Sequence, residues 1–271
     1  MSVFFITGAP RGLGLEIARA AAERGHTVVA TARDADAVRA ALPAATALPL
    51  DVTDAGQARA AVEAAVAAHG RIDVLVNNAG YGMFGAVEEV SDAEARAIFD
   101  ANVFGLLTVT RAVLPVMRAQ RSGRVLNIGS IAGFFNAPGP GLYGATKFAV
   151  DGISEAMRGE LEPLGILTTV VEPGALRTGF FGDRSFRFAE QVIGDYAATV
   201  GRARAAVPGR DGTQPGDPAK AAGLIVDLAE HPEPPTRLLL GSDAVTRADA
   251  KLEHLAEELA QWREASLSTD F

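Results

Sequence analysis

The chain has 271 residues, with 25 Lys and Arg against 33 Asp and Glu, so its formal net charge is −8. Its 48% hydrophobic content supplies a sizeable core and excludes a disordered chain, while the acidic balance argues against binding to the phosphate backbone of nucleic acids. The absence of cysteine excludes disulfides, thiolate metal centres and a cysteine nucleophile, and metal-ligand spacing is missing among the four histidines, His26, His69, His231 and His254.

From the N-terminus onward, short apolar runs alternate with longer segments of helical periodicity. The predicted strands are Val3–Thr7, Thr27–Thr31, Ala45–Leu50, Ile72–Val76, Arg124–Ile128, Leu167–Val171 and Arg237–Leu240. The predicted helices span residues 12–24, 35–42, 54–69, 91–119, 143–163, 217–230 and 244–264. The first segment lacks the basic start of a signal peptide, and no apolar run approaches the roughly 20 residues of a membrane span. We therefore predict a cytoplasmic protein without a membrane span.

This alternation predicts an α/β fold of the Rossmann type, a doubly wound parallel sheet of about seven strands with helices on both faces. Continuous apolar runs such as Val74–Val76 indicate strands that are buried on both sides. Ser91 followed three residues later by Glu94 is a capping-box pattern that predicts a helix start. We expect a single domain over residues 1–271, in which residues 175–215 form a substrate lid and residues 244–264 form a C-terminal helix.

A glycine-rich turn lies between the first strand and the first helix. The turn contains Gly8, Gly12 and Gly14, with Arg11 and Leu13 between them. Small residues at such a turn let backbone N–H groups and the helix N-terminus approach a diphosphate. Its placement after an N-terminal strand favours dinucleotide binding. The alternative is that the three glycines serve only the geometry of the turn and bind no nucleotide.

The end of the second strand bears on the choice of cofactor. A cofactor with a free ribose 2′-hydroxyl usually meets an acidic residue here, but Ala32 occupies that position and Arg33 follows. An arginine fits a 2′-phosphate, and Arg11 could point at the same group. NADP is therefore favoured, although Asp34 keeps NAD open and both arginines could be solvated surface residues.

Further along the chain, a set of motifs occurs in a fixed order. The motifs are the glycine loop, Asp51-Val52, Asn77-Asn78-Ala79-Gly80, Asn102, Ser130, Tyr143 with Lys147, Pro173-Gly174 and Thr178. Together they make the chain resemble the short-chain dehydrogenase/reductase family, in its single-domain, NADP-preferring branch, from Val3 to about Thr178. One departure is Pro10, which removes an N–H from the phosphate loop.

The chemistry of three residues agrees with this resemblance. Tyr143 and Lys147 are four residues apart and share one helix face, and a nearby ammonium makes a buried phenol easier to ionise. Tyr143 is thus predicted to exchange a proton near neutral pH. Ser130, at the end of the fifth strand, is predicted to hydrogen-bond the substrate oxygen. Each of these residues alone also fits an ordinary structural role.

The resemblance implies further roles. Lys147 would hold the nicotinamide ribose, and Asn102 would help to carry a proton to Lys147 through water. Asp51 and Val52 would flank the adenine, and the cofactor cleft would also be lined by Asn78, Ala79, Gly80, Pro173, Gly174 and Thr178. The family frequently assembles through helices that flank the sheet, which implies a homodimer or homotetramer.

Phenylalanines are concentrated where a substrate would sit. Phe180, Phe181, Phe186 and Phe188 lie in the predicted lid among Arg177, Arg184 and Arg187, and Phe84, Phe134 and Phe135 follow other site motifs. If they face the cleft, the substrate is an apolar carbonyl compound or alcohol; the alternative is that they belong to the core.

Three other functions compete with an NADP(H)-dependent carbonyl reductase. They are an NAD-dependent alcohol dehydrogenase, a non-catalytic regulator that senses NADP, and a sugar-nucleotide epimerase or dehydratase. The set Ser130, Tyr143 and Lys147 favours catalysis, and little chain remains after residue 240 for an epimerase. An apolar stripe in the last helix, Leu252, Leu255, Leu259 and Trp262, could pack on its own domain or on a partner.

Overall fold

Parallel strands form the centre of the molecule, whose structure is a computed structural model that describes residues 1–182 and 185–271. Within these residues the strands are β1 Val3–Thr7, β2 Thr27–Ala32, β3 Thr46–Pro49, β4 Val74–Asn77, β5 Gly82–Phe84, β6 Gly123–Ile128, β7 Ile166–Pro173, β8 Phe186–Phe188 and β9 Arg237–Leu240. Seven of them make one parallel sheet in the order β3-β2-β1-β4-β6-β7-β9. This confirms the predicted Rossmann-type sheet.

Helices cover both faces of this sheet. In the described residues they are α1 Gly12–Glu23, α2 Ala35–Ala41, α3 Ala55–His69, α4 Asp92–Phe99, α5 Gly105–Gln120, α6 Gly141–Leu161, α7 Arg202–Ala206, α8 Pro218–Glu230 and α9 Ser242–Leu267. One apolar cluster joins α1, α2 and α8 to the sheet, and another joins α3, α5 and α6 to the opposite face. Because both faces are covered, the β1 and β4 segments are buried along their whole length.

The order of the strands reverses direction at β1. The chain winds from β1 to β2 and β3 on one side, and continues with β4 on the other side of β1. The loops after β1 and β4 therefore diverge and leave a crevice at the carboxyl ends of these strands, which is where such sheets bind ligands. The glycine loop follows β1 and the segment from Asn78 to Gly80 follows β4, so both predicted cofactor motifs border this crevice.

The helix predicted over residues 91–119 is interrupted. The Ser91–Glu94 capping box is present, but a π-helical turn at Asp100–Phe104 separates α4 from α5. Residues 92–120 are long and apolar enough, by length and composition alone, to cross a membrane, which corrects the expectation that no apolar run approaches that length. The buried face of α5 packs against α3 and the sheet, as expected for a core helix.

Two short strands were missed by the sequence patterns. β5 and β8 pair in parallel and join the chain after β4 to the predicted lid, with Met83 opposite Arg187. Three residues are too few to show a periodicity, so the sequence carried no signal for either strand. Arg184, one of the arginines assigned to the lid, lies outside the described residues.

Candidate active site

The glycine loop leaves room for a ligand at the N-terminus of α1. Gly12, the first residue of α1, has φ +58°, and a Cβ there would meet only the Cβ of Thr178, 4.0 Å away. Arg11 occupies the N-cap position without a side-chain capping bond, which leaves the first N–H groups of α1 available to an anion. The residues present therefore fit a diphosphate between the loop and Thr178.

Asn78 fixes the shape of this loop. Its Nδ2 donates to the carbonyl oxygens of Thr7, at 2.9 Å, and Gly8, at 3.1 Å. The backbone N–H groups of Asn78 and Ala79 both donate to Thr7 Oγ1 at 3.0 Å. Gly14 must lack a side chain because its Cβ would lie 2.4 Å from Asn78 Nδ2. The loops after β1 and β4 thus form one hydrogen-bonded unit.

Three polar residues that we predicted to bear on the cofactor follow the carboxyl ends of β2 and β3. Arg33 is exposed directly after β2. Asp34 uses Oδ1 to accept from the N–H groups of Asp36 and Ala37, and so caps α2. Asp51 Oδ1 accepts from the backbone N–H and the hydroxyl of Thr53. Each carboxylate holds its own loop, and Arg33 is exposed beside Asp34.

The remaining predicted cofactor residues lie beside the same crevice or support it from below. Leu13 packs on the core under the loop, and Val52 packs against the core of the other face. Gly80 faces the side chain of Asn102, whose Oδ1 would lie 2.8 Å from a Cβ at that glycine. Pro173 is the last residue of β7, and the Gly174 N–H donates to the Leu240 carbonyl at 2.8 Å.

Ser130, Tyr143 and Lys147 come together at the carboxyl end of β6. The Ser130 side chain lies close enough to the Tyr143 phenol to lower the pKa of that phenol. Lys147 Nζ donates to the Ile128 carbonyl at 2.7 Å and lies 5.8 Å from the centre of the Tyr143 ring. Ser130 also accepts a bond from the Ala132 N–H at 3.1 Å, which fixes its side chain. The residues that the sequence singled out are therefore neighbours.

Burial controls the protonation of this group. Burial removes water from the Tyr143 phenol and raises its pKa to about 12. Ser130 has a smaller effect, which lowers the same pKa. Burial also lowers the pKa of the Lys147 amine, which is 8% exposed, to about 8. The prediction that Tyr143 ionises readily near neutral pH is wrong for this structure, because desolvation by burial is the largest effect on the phenol. At pH 7 the phenol carries its proton, which is the form of a proton donor.

Asn102 connects the catalytic helix to the segment after β4. It lies in the π-helical turn, buried, and its Oδ1 accepts from the Tyr81 N–H at 3.0 Å. Its Nδ2 donates to the Tyr81 carbonyl at 2.9 Å and to Thr146 Oγ1 at 3.1 Å. Thr146 in turn donates to the Tyr143 carbonyl at 2.7 Å. The Asn102 side chain thus positions α6, and its role in proton transfer stays a prediction.

A cluster of aromatic rings covers Tyr143. The Phe180 ring lies 6.0 Å from the Tyr143 ring, centre to centre, and contacts Phe181 and Phe186 edge to face. Phe186 is buried against Phe84 and Phe188. Phe180 therefore borders the Tyr143 phenol, as expected for a ring that faces the cleft. Phe186 instead forms the core of the predicted lid, as in the alternative that the phenylalanines belong to a core.

Phe134 does not belong to this cluster. Its ring stacks under the guanidinium of Arg237, 5.1 Å away, and packs with Ile131 against the start of α9. These contacts favour the alternative that Phe134 belongs to a core, because the turn after Ser130 directs it toward the C-terminal helix.

One buried contact of the predicted lid that the sequence did not reveal is made by Glu89. This carboxylate is 2% exposed and accepts from the N–H groups of Ala86, at 2.8 Å, and Ile193, at 2.9 Å. It also pairs with Arg204 Nη2 at 2.8 Å. These bonds lower the pKa of Glu89, so it stays ionised. Since Ile193 and Arg204 both belong to the predicted lid, Glu89 fastens the lid to the loop after β5.

The chain belongs to the short-chain dehydrogenase family, whose model matches residues 2–186, and it is an oxidoreductase of that family. It is 38% identical to the oxidoreductase BOA17 of Botryotinia fuckeliana, over 98% of both chains. It is 36% identical to a 3-ketodihydrosphingosine reductase of Bacteroides thetaiotaomicron, over 88% of this chain and 87% of that protein.

Solved structures agree with this assignment. A short-chain dehydrogenase from Streptomyces avermitilis is 43% identical, with a TM-score of 0.92 over 100% of this chain and 99% of that one. A 3-ketoacyl-(acyl-carrier-protein) reductase from Brucella melitensis, complexed with NADH, is 28% identical. Its TM-score is 0.73 over 88% of this chain and 96% of that chain. A structural neighbour in the family therefore binds a nicotinamide cofactor.

Proposed function

We propose that this protein is an NADP(H)-dependent oxidoreductase that interconverts an apolar carbonyl compound and the corresponding alcohol. The observation that carries the proposal is that Ser130, Tyr143 and the buried amine of Lys147 lie together at the carboxyl end of β6. A nucleotide sensor would need the crevice but not this set of proton-transfer groups.

The chain's own residues supply the acid and the orientation. The nicotinamide, when bound, exchanges a hydride with the substrate carbon. Tyr143 donates its proton to the carbonyl oxygen, because burial keeps the phenol protonated. Ser130 donates a hydrogen bond to the same oxygen as negative charge develops there. The nearby ammonium of Lys147 stabilises the phenolate that remains, and in alcohol oxidation the same groups act in reverse.

The preference for NADP rests on the end of β2. Ala32 offers no carboxylate to a ribose 2′-hydroxyl, and the Asp34 carboxylate already caps α2 through two backbone N–H groups. Arg33 is exposed directly after β2, and its planar donors suit a 2′-phosphate.

The apolar character of the substrate rests on the lid. Phe180 borders Tyr143, and Phe181 and Phe186 extend the apolar surface behind it. A relative at 36% identity is named for reduction of 3-ketodihydrosphingosine, a ketone on a long alkyl chain. A long-chain ketone is consequently the first class of substrate to test.

The test is oxidation of NADPH, followed by absorbance, with a panel of ketones, aldehydes and quinones of increasing chain length. We expect turnover to favour long-chain ketones over short, polar ones. An absence of turnover with every class, while NADPH still binds, would favour the sensor instead.

A second measurement tests the cofactor. We expect NADPH to bind more tightly than NADH, and Arg33→Ala to lose about tenfold in affinity for NADPH alone, the value of one charge-assisted contact. Arg39→Ala, an exposed arginine of α2 paired with Asp36, is the matched control. Equal affinity of the native protein for both cofactors would contradict the role of Arg33.

A further inference from the structure

A group of charged side chains lies behind the catalytic helix and takes no part in the proposed mechanism. It consists of Asp151 on α6, Glu172 on β7 and Arg237 at the start of β9, and is called the Arg237 cluster below. The Glu172 side chain is 0% exposed, and the other two are mostly buried. Since burial of a charge is costly, these side chains depend on one another.

Within the cluster, Arg237 binds Asp151 through two nitrogens of its guanidinium. Its Nε donates to Asp151 Oδ1 at 3.2 Å, and its Nη2 donates to Oδ2 of the same carboxylate. Asp151 follows Lys147 by four residues and Tyr143 by eight, so the three side chains lie on one side of α6. The guanidinium therefore holds the helix of the catalytic group against β9.

Arg237 also contacts the Ser130 turn, which comprises residues 130–134. The Phe134 ring lies 5.1 Å from the guanidinium, within the range of a cation–π contact. The Gly133 N–H donates to the Ser130 carbonyl at 2.7 Å. The Phe134 N–H donates to the Ile131 carbonyl at 3.0 Å. Ser130 and the Phe134 ring thus belong to one hydrogen-bonded turn.

This turn rests directly on α6. Gly133 is buried, and a Cβ at this residue would lie 2.8 Å from the carbonyl carbon and oxygen of Lys147. The turn and the backbone of the helix are therefore in close contact. The distance from Ser130 to the side chains of α6 depends on how firmly these two elements are held together.

Glu172 brings the end of β7 to the same guanidinium. Its Oε2 lies 3.1 Å from Arg237 Nε, but neither of its oxygens accepts a hydrogen bond from the described residues. Burial is the main cause that raises the pKa of this carboxyl to about 7; Asp151 raises it and Arg237 lowers it. Because buried ion pairs commonly stabilise no more than apolar side chains of similar size, stability alone does not account for Glu172.

The Glu172 side chain also lies beside the residue that precedes Ser130. A Cβ at Gly129 would be 3.4 Å from Glu172 Cγ, and the Gly129 N–H donates to the Val171 carbonyl at 2.7 Å. The ends of β6 and β7 are therefore packed together where the Ser130 turn begins.

We propose that the Arg237 cluster positions α6 and the Ser130 turn relative to each other, so that the Tyr143 phenol and the Ser130 hydroxyl meet the same substrate oxygen. One guanidinium contacts a carboxyl group on the helix, a carboxyl group beside the turn and an aromatic ring of the turn itself. This role rests on the proposed oxidoreductase function, because it concerns the geometry of that reaction.

The first experiment separates positioning from stability. We expect Arg237→Gln and Asp151→Asn to lower kcat about 10- to 100-fold, as a small misplacement of reacting groups does, with KM and the Kd of NADPH little changed. Asp151→Asn keeps the shape of its side chain and so tests the role where Arg237→Gln does not fold.

The matched control is Arg158→Gln. Arg158 also joins α6 to the chain before β9, through the Pro234 carbonyl at 3.0 Å, but near the end of the helix that is remote from Tyr143. This variant should lower Tm and leave kcat unchanged. An equal fall of kcat in the control, or native kcat in the cluster variants, would overturn the proposal.

The second experiment observes Tyr143 without turnover. The chain has three tyrosines, Tyr81, Tyr143 and Tyr196, so ring-labelled protein gives three sets of NMR signals, of which Tyr143→Phe identifies one. We expect Asp151→Asn to shift the Tyr143 signals and Arg158→Gln to leave them in place. Unshifted Tyr143 signals in Asp151→Asn would overturn the positioning role. Shifted signals in a protein that turns over none of the substrates would instead contradict the proposed function alone.

Discussion

The proposed cofactor crevice and the predicted lid are held in different ways. The crevice is fixed by bonds between a side chain of one loop and the backbone of the neighbouring loop: Asn78 and Thr7 tie the loops after β1 and β4 through four such hydrogen bonds. The lid is held by side chains from distant parts of the chain, namely the Glu89–Arg204 ion pair and the ring cluster around Phe186.

This difference separates the tasks of the two regions. A dinucleotide presents the same diphosphate to every enzyme that uses it, so a crevice of backbone groups suits it. A substrate pocket must fit one shape, and side chains on a separate segment can vary without changing the sheet. We therefore expect changes at the crevice to affect cofactor binding and changes at the lid to affect KM, while the catalytic group between them affects kcat.

The largest effect, a fall in kcat, is expected from a change at Tyr143. Tyr143→Phe removes the proton donor and keeps the ring that packs on Phe180. We expect kcat to fall by about 10²–10⁴-fold, the usual contribution of general acid catalysis, while NADPH binds as before. Turnover is followed by NADPH absorbance and binding by fluorescence titration. Native turnover in this variant would remove the phenol from the mechanism.

The next effect concerns the lid. Glu89→Gln leaves Arg204 as a cation without its buried carboxylate, which costs about 3 kcal/mol in comparable pairs. We expect KM for the substrate to rise more than kcat falls, and faster proteolysis within residues 189–204. The control is Glu88→Gln, an exposed neighbour that accepts a bond from the Tyr196 hydroxyl. A change in the Kd of NADPH that equals the change in KM would mean that the two regions are not separate.

A smaller effect is expected at the crevice. Asn78→Ala removes both side-chain bonds to the Thr7 and Gly8 carbonyls, at a cost of about 1–3 kcal/mol for unsatisfied groups. We expect weaker binding of NADPH and a lower Tm, with KM for the substrate little changed once cofactor is saturating. Calorimetry of cofactor binding measures the first effect. Unaltered affinity would show that the loop keeps its shape without this clamp.

The smallest effect is a dependence on pH. The pKa of Lys147 is lowered to about 8 and that of Tyr143 is raised to about 12, so below pH 8 the amine is charged and the phenol protonated. As pH rises through about 8, Lys147 loses its charge first, and kcat/KM for reduction should decline by up to about tenfold. In Lys147→Arg the guanidinium stays charged, so the decline near pH 8 should disappear. A decline at the same pH in both proteins would assign it to another group.

The sequence was most informative where function depends on local spacing. Strands β1 and β9 were predicted at their observed bounds, and Ser130, Tyr143 and Lys147 were singled out before any contact was known. Such predictions succeed because a strand–glycine–helix turn and an i, i+4 pair are defined within a few residues. Glu89 gave no such signal, since its partners Ile193 and Arg204 are more than 100 residues away.

By itself the sequence determined the doubly wound sheet, and it predicted the position of the crevice and the members of the proposed catalytic group. Only the tertiary structure decided the protonation of Tyr143, because desolvation depends on every group that surrounds a side chain. Only the tertiary structure placed Phe180 beside Tyr143, Phe186 in the core of the predicted lid and Phe134 against the start of α9. It also showed that the apolar stripe of α9 is exposed and does not pack on the described residues of its own chain. Local pattern specifies which elements form, whereas burial and long-range pairing arise only when these elements pack.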